Sequence, residues 1–185
     1  KSVPTREEMY ELIPKGGVGA ELGVCKGSNA VQLYFRTKPR KLFLVDTWDE
    51  VTQESGLKDH QWPDLWYGDS EEEVKDLFKG EVEEGSVCIH KRNTIEFLGL
   101  EVTSNSLDWV YLDSDHVYEY FSVELDESIK KVKSGGYIMG HDFEVANYAH
   151  RDSVVRAVIE RIQSGDIKME AITLEKWPSY LTKVI

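Results

Sequence analysis

Ionisable side chains follow two apolar runs that have the character of buried strands. Asp113 comes directly after the fourth predicted strand, with Asp115 and His116 beyond it, and His141 and Asp142 follow the fifth. Because ligands of open α/β sheets bind at the carboxyl ends of the strands, Asp113, His141 and Asp142 are expected to converge on one edge. Carboxylates and imidazoles can hold a divalent cation or move a proton. For Asp115 and His116 a plain structural role also stays open, as a helix cap and as a polar first-turn residue.

A second set of residues has the spacing of a nucleotide-binding turn. Gly23 and Gly27 follow the apolar run at 18–22, and Asp46 ends another apolar run about twenty residues further on. Glycine lets the backbone approach a ligand closely, and a strand-end carboxylate can accept hydrogen bonds from a ribose diol. This order of strand, glycine turn, helix and acid-tipped strand predicts a site for an adenosine-containing cofactor. The alternative is a tight turn beside a solvated carboxylate.

The elements that position these residues alternate between strands and helices, which predicts an α/β fold: a doubly wound, mostly parallel Rossmann-like sheet. The last two strands have no helix between them and predict a C-terminal antiparallel hairpin. The predicted strands are Val18–Leu22, Leu42–Val45, Val87–His90, Leu107–Leu112, Tyr137–Met139, Met169–Leu174 and Tyr180–Ile185. The predicted helices are Thr5–Ile13, Ser28–Arg36, Glu71–Phe78, Val117–Val132 (closed by Ser134-Gly135-Gly136) and Ser153–Ile162.

Composition restricts the class of protein. The 185 residues suit one domain, 1–185, and Lys1 in place of a methionine leaves open that it comes from a longer chain. A net charge of −12 argues against nucleic acid or an anionic membrane as the main partner. There is no long apolar run or signal-peptide core, and Cys25 and Cys88 have the spacing of free thiols. We therefore expect a cytoplasmic protein; the oligomeric state stays open.

The glycine turn argues against a dinucleotide-dependent dehydrogenase. Its GxxxG spacing is out of register with the GxGxxG fingerprint. A short-chain dehydrogenase also needs a Tyr-x-x-x-Lys pair near the active edge. The pair present, Tyr34 and Lys38, falls in the helix directly after the glycine turn, which is the wrong place.

With Glu21 leading the glycine turn and Asp46 beyond it, the chain resembles the class I S-adenosylmethionine-dependent methyltransferases. Cys25 stands where that motif often has a middle glycine. The resemblance implies S-adenosyl-L-methionine as methyl donor, with the glycine loop on its methionine and ribose moieties and Trp48 against the adenine. The cofactor-binding residues that it implies are Glu21, Gly23, Gly27, Ser28, Asp46, Trp48, Asn93 and Asp113.

The acceptor end resembles the metal-dependent O-methyltransferases of the catechol and macrocin types. The resemblance implies a divalent metal, Mg²⁺ or Mn²⁺, held by Asp113, His141 and Asp142. His141 stands where that family usually has a carboxylate, and imidazole suits Mn²⁺ better than Mg²⁺. Either the metal differs or His141 is the general base. The catalytic residues predicted on this basis are Asp113, His116 and His141.

A polar stretch rich in aromatic residues, 47–70, is predicted to be a lid over the acceptor. Trp62 and Trp66 in it could stack on a substrate or simply close the edge of the sheet. Its polar composition favours a small-molecule or glycan hydroxyl, most of all one on a sugar. The alternatives are a catechol-like phenol, a non-catalytic S-adenosylmethionine-binding module and, more distantly, a metal-dependent oxygenase.

Overall fold

The computed structural model describes residues 1–48, 70–144 and 152–185. In these residues strands and helices alternate along most of the chain. The strands are β1 (Ser2–Val3), β2 (Val18–Leu22), β3 (Lys41–Asp46), β4 (Val87–Lys91), β5 (Leu107–Leu112), β6 (Val132–Gly140), β7 (Ile167–Thr173) and β8 (Tyr180–Val184). The helices are α1 (Arg6–Tyr10), α2 (Ser28–Thr37), α3 (Ser70–Leu77), α4 (Lys79–Glu83), α5 (Thr94–Glu101), α6 (Tyr118–Lys131) and α7 (Asp152–Ser164).

These strands join one sheet in the order β1-β7-β8-β6-β5-β2-β3-β4. Strand β2 lies between β3 and β5 and is parallel to both, so the chain order reverses there and leaves a crevice at the carboxyl ends. Leu22 of β2 lies opposite both Val45 and Leu112, and Leu112 lies opposite Gly140 of β6. Four strands therefore end at the same level, and the residues that follow them share one edge.

The C-terminal strands run against the rest of the sheet. Strand β8 pairs antiparallel with both β6 and β7, which confirms the predicted hairpin and the predicted fold class. Strand β1 then adds parallel to β7, with Ser2 opposite Ile172. The sequence did not predict β1, because two residues are too few to show the alternation of a strand.

The role predicted for Gly135 and Gly136 is wrong. They were expected to close the helix before the fifth predicted strand, but α6 ends at Lys131 and β6 begins at Val132. The glycines lie inside β6, where the register against β5 shifts. A Cβ on Gly136 would stand 2.8 Å from the Asp108 carbonyl oxygen, so its missing side chain lets the two strands pass closely.

Apolar side chains cover both faces of the sheet. One face packs on α5, α6 and α7 through residues such as Phe97, Phe121 and Val158. The other packs on α1, α2 and α3 through Met9, Leu33 and Val74. Burial on both faces is what a parallel sheet requires. Of the helices in the described ranges, none has the length and apolar character needed to cross a membrane.

Candidate active site

Gly23 lies where the end of β2 meets the end of β5. Its φ is +90°, and a Cβ there would stand 2.2 Å from the Asp113 carbonyl oxygen. Its N–H donates to the Val45 carbonyl at 2.9 Å, while the N–H of Asp113 donates to the Leu22 carbonyl at 2.8 Å. The loop after β2 is thus fastened to both neighbouring strand ends. Only glycine combines this positive φ with so close an approach.

Asp46 shapes the glycine loop. Its Oδ2 accepts hydrogen bonds from the N–H groups of Val24 and Cys25 at 2.8 and 2.9 Å, and its Oδ1 accepts one from Trp48 at 3.0 Å. A carboxylate has about four lone-pair positions, so Oδ1 keeps capacity for a further donor. Asp46 therefore fits the predicted contact with a ribose hydroxyl, and it also holds the backbone of the glycine loop.

Trp48 lies against the same loop. It has a φ of +45°, and its indole N–H donates to the Cys25 carbonyl at 2.9 Å. Its ring packs at the edge of the apolar cluster beneath α1, α2 and α3. The remainder of the predicted lid, residues 49–69 with Trp62 and Trp66, lies outside the described residues.

Glu21 faces inward from β2 and is 1% exposed. Its Oε1 accepts from the Asn29 amide at 2.9 Å, and the Asn29 carbonyl oxygen accepts from the Tyr10 hydroxyl at 2.6 Å. Its Oε2 has no hydrogen-bond partner among the described residues. Burial raises the pKa of Glu21 well above its usual range. Through Asn29 and Tyr10, Glu21 connects β2 to helices α2 and α1. Its position in the motif does not predict these two contacts.

Two more of the predicted cofactor residues, Ser28 and Asn93, lie at helix starts. Ser28 is the exposed first residue of α2, directly after Gly27, which caps that helix with a φ of +81°. Asn93 caps α5, where its Oδ1 accepts from the N–H groups of Ile95 and Glu96 at 3.0 and 3.2 Å. Both positions border the crevice at the carboxyl ends of the strands.

The predicted acceptor residues converge beyond β5 and β6. His116 Nε2 lies 3.2 Å from Asp142 Oδ2 and 3.7 Å from Asp113 Oδ1. His141 Nδ1 lies 3.7 Å from Asp142 Oδ2 and 3.8 Å from Asp113 Oδ1. We call these four residues the acceptor cluster. Asp142 reaches it from a left-handed backbone conformation with a φ of +52°.

Asp115 stands apart from the acceptor cluster in its contacts. Its Oδ1 accepts from the N–H of Val117 at 2.8 Å, which forms a turn just before α6. Val117 stands at the N-cap position of α6, so Asp115 is not the helix cap that was left open for it, although its role in the turn is structural. His116, by contrast, contacts two carboxylates of the acceptor cluster and is more than a polar first-turn residue.

The charges of the acceptor cluster alter its titration. Burial raises the pKa of Asp113, although the neighbouring His141 and His116 counteract part of the effect. For His141, burial lowers the pKa, but the nearby carboxylates of Asp142 and Asp113 outweigh it and raise the pKa. Ligand atoms of Asp113, His141 and Asp142 all lie within 4.8 Å of one another, which is close enough to share a divalent cation.

Arg6 belongs to the site although no sequence signal placed it there. It is the first residue of α1, and its Nη2 lies 3.0 Å from His141 Nε2. Its backbone N–H donates to Glu175 Oε2 at 3.0 Å. A separation of 135 positions from His141 explains why local patterns could not reveal this contact.

Glu124 is a second residue that the sequence did not reveal. It is fully buried on α6, and its Oε1 accepts from the hydroxyls of Ser114, at 2.7 Å, and Thr94. Burial raises its pKa to about 7. Thr94 follows Asn93 and Ser114 follows Asp113, so Glu124 links the cofactor side of the crevice to the acceptor cluster.

A family model described as a methyltransferase domain matches residues 20–143, most of the chain. The matched range includes the glycine loop, Asp46 and the whole acceptor cluster. The fold and the match together define an S-adenosylmethionine-dependent methyltransferase. The chain belongs to this methyltransferase domain family.

Solved structures share the fold at low sequence identity. An O-methyltransferase from Bacillus cereus, in complex with S-adenosylhomocysteine (SAH), has 11% identity and a TM-score of 0.69, covering 99% of this chain and 81% of that one. The geranyl diphosphate C-methyltransferase of Streptomyces coelicolor, in complex with Mg²⁺, geranyl diphosphate and SAH, has 10% identity and a TM-score of 0.65, covering 97% and 80%. TYW2 of M. jannaschii, in complex with AdoMet, has 13% identity and a TM-score of 0.58, covering 97% and 74%. No curated protein matches the sequence.

Proposed function

We propose that this methyltransferase transfers a methyl group to a hydroxyl of a sugar or glycan, with help from a divalent cation. The observation that supports this most is the acceptor cluster at the edge shared with the glycine loop. Gly23 contacts the backbone of Asp113, so the donor loop and the first acceptor carboxylate are direct neighbours. A hydroxyl held by the acceptor cluster would lie beside the cofactor position.

The chemistry asks little of the protein beyond alignment and proton removal. S-adenosylmethionine supplies, when bound, an electrophilic methyl group on a sulfonium sulfur. Aligning the acceptor oxygen with that methyl group contributes several kcal/mol, of the order of the roughly 7–11 kcal/mol available to well-oriented reactants. Glycines 23 and 27, with Asp46, form the backbone cradle that fixes the donor side.

The acceptor cluster offers both a cation site and a base. Asp113 and Asp142 are the carboxylates that would hold a divalent cation, with His141 beside them; such a cation lowers the pKa of a coordinated hydroxyl. His116 is the group that would accept the proton, a step worth a factor of roughly 10² to 10⁴, and His141 is the other candidate that the sequence predicts.

A sugar or glycan hydroxyl suits this edge better than a phenol. The described acceptor residues are ionisable groups, and Arg6 adds a fifth charged or polar side chain. A polar surface of this kind matches an acceptor with several hydroxyls, whereas a catechol-like phenol would gain from apolar walls. The net charge of −12 favours a small neutral acceptor over nucleic acid or a membrane.

The test is SAH release with a panel of acceptors. The purified chain is incubated with S-adenosylmethionine and either a methyl glycoside bearing adjacent hydroxyls, a catechol or no acceptor, each with Mn²⁺ and with EDTA. We expect SAH with the glycoside and Mn²⁺ and much less with EDTA. Turnover with catechol alone would reassign the acceptor to phenols. Calorimetric binding of SAH with no turnover on any acceptor would indicate a non-catalytic binding module.

A further inference from the structure

Arg6 is the residue at the acceptor edge that the proposed mechanism leaves unused. Its Nη2 lies 3.0 Å from His141 Nε2, and its Nε lies 3.9 Å from Glu175 Oε1. The Arg6 backbone N–H donates to the other oxygen of Glu175 at 3.0 Å. The Arg6 and His141 side chains are 26% and 15% exposed. The guanidinium is thus held between Glu175 and the imidazole in a partly desolvated position.

The chemistry of the two groups determines which nitrogen of His141 carries the proton. A guanidinium has only donors and stays protonated in proteins. At 3.0 Å from it, His141 Nε2 must accept the hydrogen bond through its lone pair. A neutral imidazole carries one N–H, so that proton is on Nδ1. The carboxylates of Asp142 and Asp113 raise the pKa of His141 and Arg6 lowers it, but in the neutral ring the Arg6 contact selects the Nδ1–H form.

The opposite side of the ring faces the carboxylates. His141 Nδ1 lies 3.8 Å from Asp113 Oδ1 and 3.7 Å from Asp142 Oδ2. An N–H there directs the positive end of a dipole at both oxygens. A metal ion bound at the same place would need the Nδ1 lone pair, because a ligating histidine nitrogen carries no proton. Coordination through Nδ1 would move the proton to Nε2, against Arg6. The Arg6 contact and metal ligation by His141 exclude each other.

We propose that Arg6 is a positioning residue that holds His141 in the Nδ1–H tautomer, so that His141 donates toward Asp113 and Asp142 and is not a metal ligand. The proposal rests on the proposed function only in treating this edge as the acceptor site. A divalent cation at this edge then has two protein carboxylates instead of three ligands, and its affinity is low. Loss of Arg6 releases Nδ1 and completes the metal site.

The tautomer is measured directly by long-range ¹H–¹⁵N correlation on protein labelled at histidine. The His141 signals are identified by their loss in His141→Gln. We expect an unprotonated Nε2 and a protonated Nδ1 in the unmodified chain, without any cofactor or acceptor added. The spectra are recorded at a pH high enough for the ring to be neutral, and a protonated Nε2 with an unprotonated Nδ1 then overturns the proposal. This measurement needs no Arg6 variant to fold.

The consequence for metal binding is measured by calorimetry with Mn²⁺ alone. Arg6→Met should bind Mn²⁺ about 10-fold or more tightly than the unmodified chain, the usual size of effects from groups that orient metal ligands. Removal of a positive charge would also strengthen cation binding. The double variant Arg6→Met with His141→Ala separates the two causes, because it lacks the charge and the imidazole together. Compared with His141→Ala alone, the double variant should keep only the part of the gain that the lost charge provides; a gain as large as the one that Arg6→Met gives with His141 present contradicts the proposal.

Arg40→Met provides a matched control. Arg40 is exposed directly before β3, at the opposite end of the sheet, and its loss removes the same charge. Its Mn²⁺ affinity should stay within about twofold of the unmodified value, since distant exposed charges are screened. None of these measurements uses methyl transfer. If the acceptor panel shows no sugar methylation while the tautomer is as stated, the proposed function fails and the role of Arg6 stands.

Discussion

Two sets of residues occupy one edge of the sheet but are built from different contacts. We call the glycine loop with Asp46 and Asn93 the donor half, after the methyl donor, and the acceptor cluster with Arg6 the acceptor half. In the donor half, polar side chains bind backbone N–H groups: Asp46 accepts three and Asn93 accepts two. In the acceptor half, ionisable side chains face one another at 3.0–3.8 Å, as with His116 and Asp142 or Arg6 and His141. The side chains of the donor half therefore help to determine the backbone conformation, whereas those of the acceptor half contact one another and leave the backbone to other residues.

This difference indicates how each half should respond to substitution. A side chain that satisfies backbone N–H groups leaves buried donors unpaired when it is lost, so the cost falls on stability and on loop shape. A side chain that contacts other side chains can be exchanged with little change to the backbone, so the cost falls on chemistry. The predictions below separate these two outcomes.

The largest effect is expected for Gly23→Ala. The new Cβ would stand 2.2 Å from the Asp113 carbonyl oxygen, at a φ of +90°. Strain and overlap together should lower the free energy of unfolding by about 4 kcal/mol, measured by urea denaturation. Gly16→Ala is the control, because Gly16 has a φ of +81° with nothing within 4 Å of its Cβ position. Equal losses in both variants would mean that the close approach to β5 contributes nothing.

The next effect concerns turnover alone. Asp113→Asn should lower kcat about 10³-fold while SAH affinity, measured by calorimetry, stays within about threefold. Asp115→Asn serves as the neighbouring control, because Asp115 forms only the turn before α6. It should retain most of the activity. A large loss of SAH affinity in Asp113→Asn would place Asp113 in the donor half and remove the proposed division.

Glu124 connects the halves and predicts a pH dependence of stability. Its pKa is about 7 in the folded protein, against 4.5 ordinarily. Between these values the unfolded chain releases a proton that the folded chain keeps, so the contribution of Glu124 to stability is greatest below about pH 4.5 and is lost by about pH 7. The fall is about 3 kcal/mol at most.

Glu124→Gln should reduce that dependence by the share of Glu124, since the amide does not titrate, while the raised pKa values of Glu21 and Asp113 leave a fall of the same sign. Urea unfolding at about pH 5 and about pH 8 checks this, with the variant gaining on the unmodified chain as pH rises. Glu124→Ala is the control, because it leaves the Thr94 and Ser114 hydroxyls without their acceptor. An unchanged pH dependence in Glu124→Gln would mean that another group is responsible.

The smallest effect is expected for Asp46→Asn. Asparagine keeps one acceptor oxygen but turns an N–H₂ group toward backbone N–H groups of the loop or of Trp48. We expect a loss of about 2 kcal/mol in unfolding free energy and about tenfold in SAH affinity. Loss of affinity without loss of stability would mean that Asp46 acts on the cofactor alone and does not shape the loop.

Much of the fold and part of the site could be predicted from local patterns. Apolar runs between turn residues define Val18–Leu22 and Leu107–Leu112 at the bounds that the structure has. The rule for strand ends brings Asp113, His141 and Asp142 together. Local patterns fail where one residue type serves two purposes: Gly135 and Gly136 suit a helix end as well as a bulge.

The remaining site residues depend on contacts between distant parts of the chain. Arg6, Tyr10 and Glu124 reach the site from helices whose own sequences explain them as ordinary helical residues. The residues next to a buried glutamate, or to an arginine at a helix start, do not indicate which distant residue it contacts. Such residues become recognisable only when the packing of the helices on the sheet is known.

Helix α1 has a consequence for how this protein can diverge. Arg6 and Tyr10 lie about one turn apart on it, and they contact opposite halves: Arg6 reaches His141, while Tyr10 reaches Asn29 and through it Glu21. The helix lies before the matched methyltransferase segment, which begins at residue 20. A short helix outside the shared segment thus contacts both halves. A movement of this helix that changes the acceptor half would therefore also disturb the donor half.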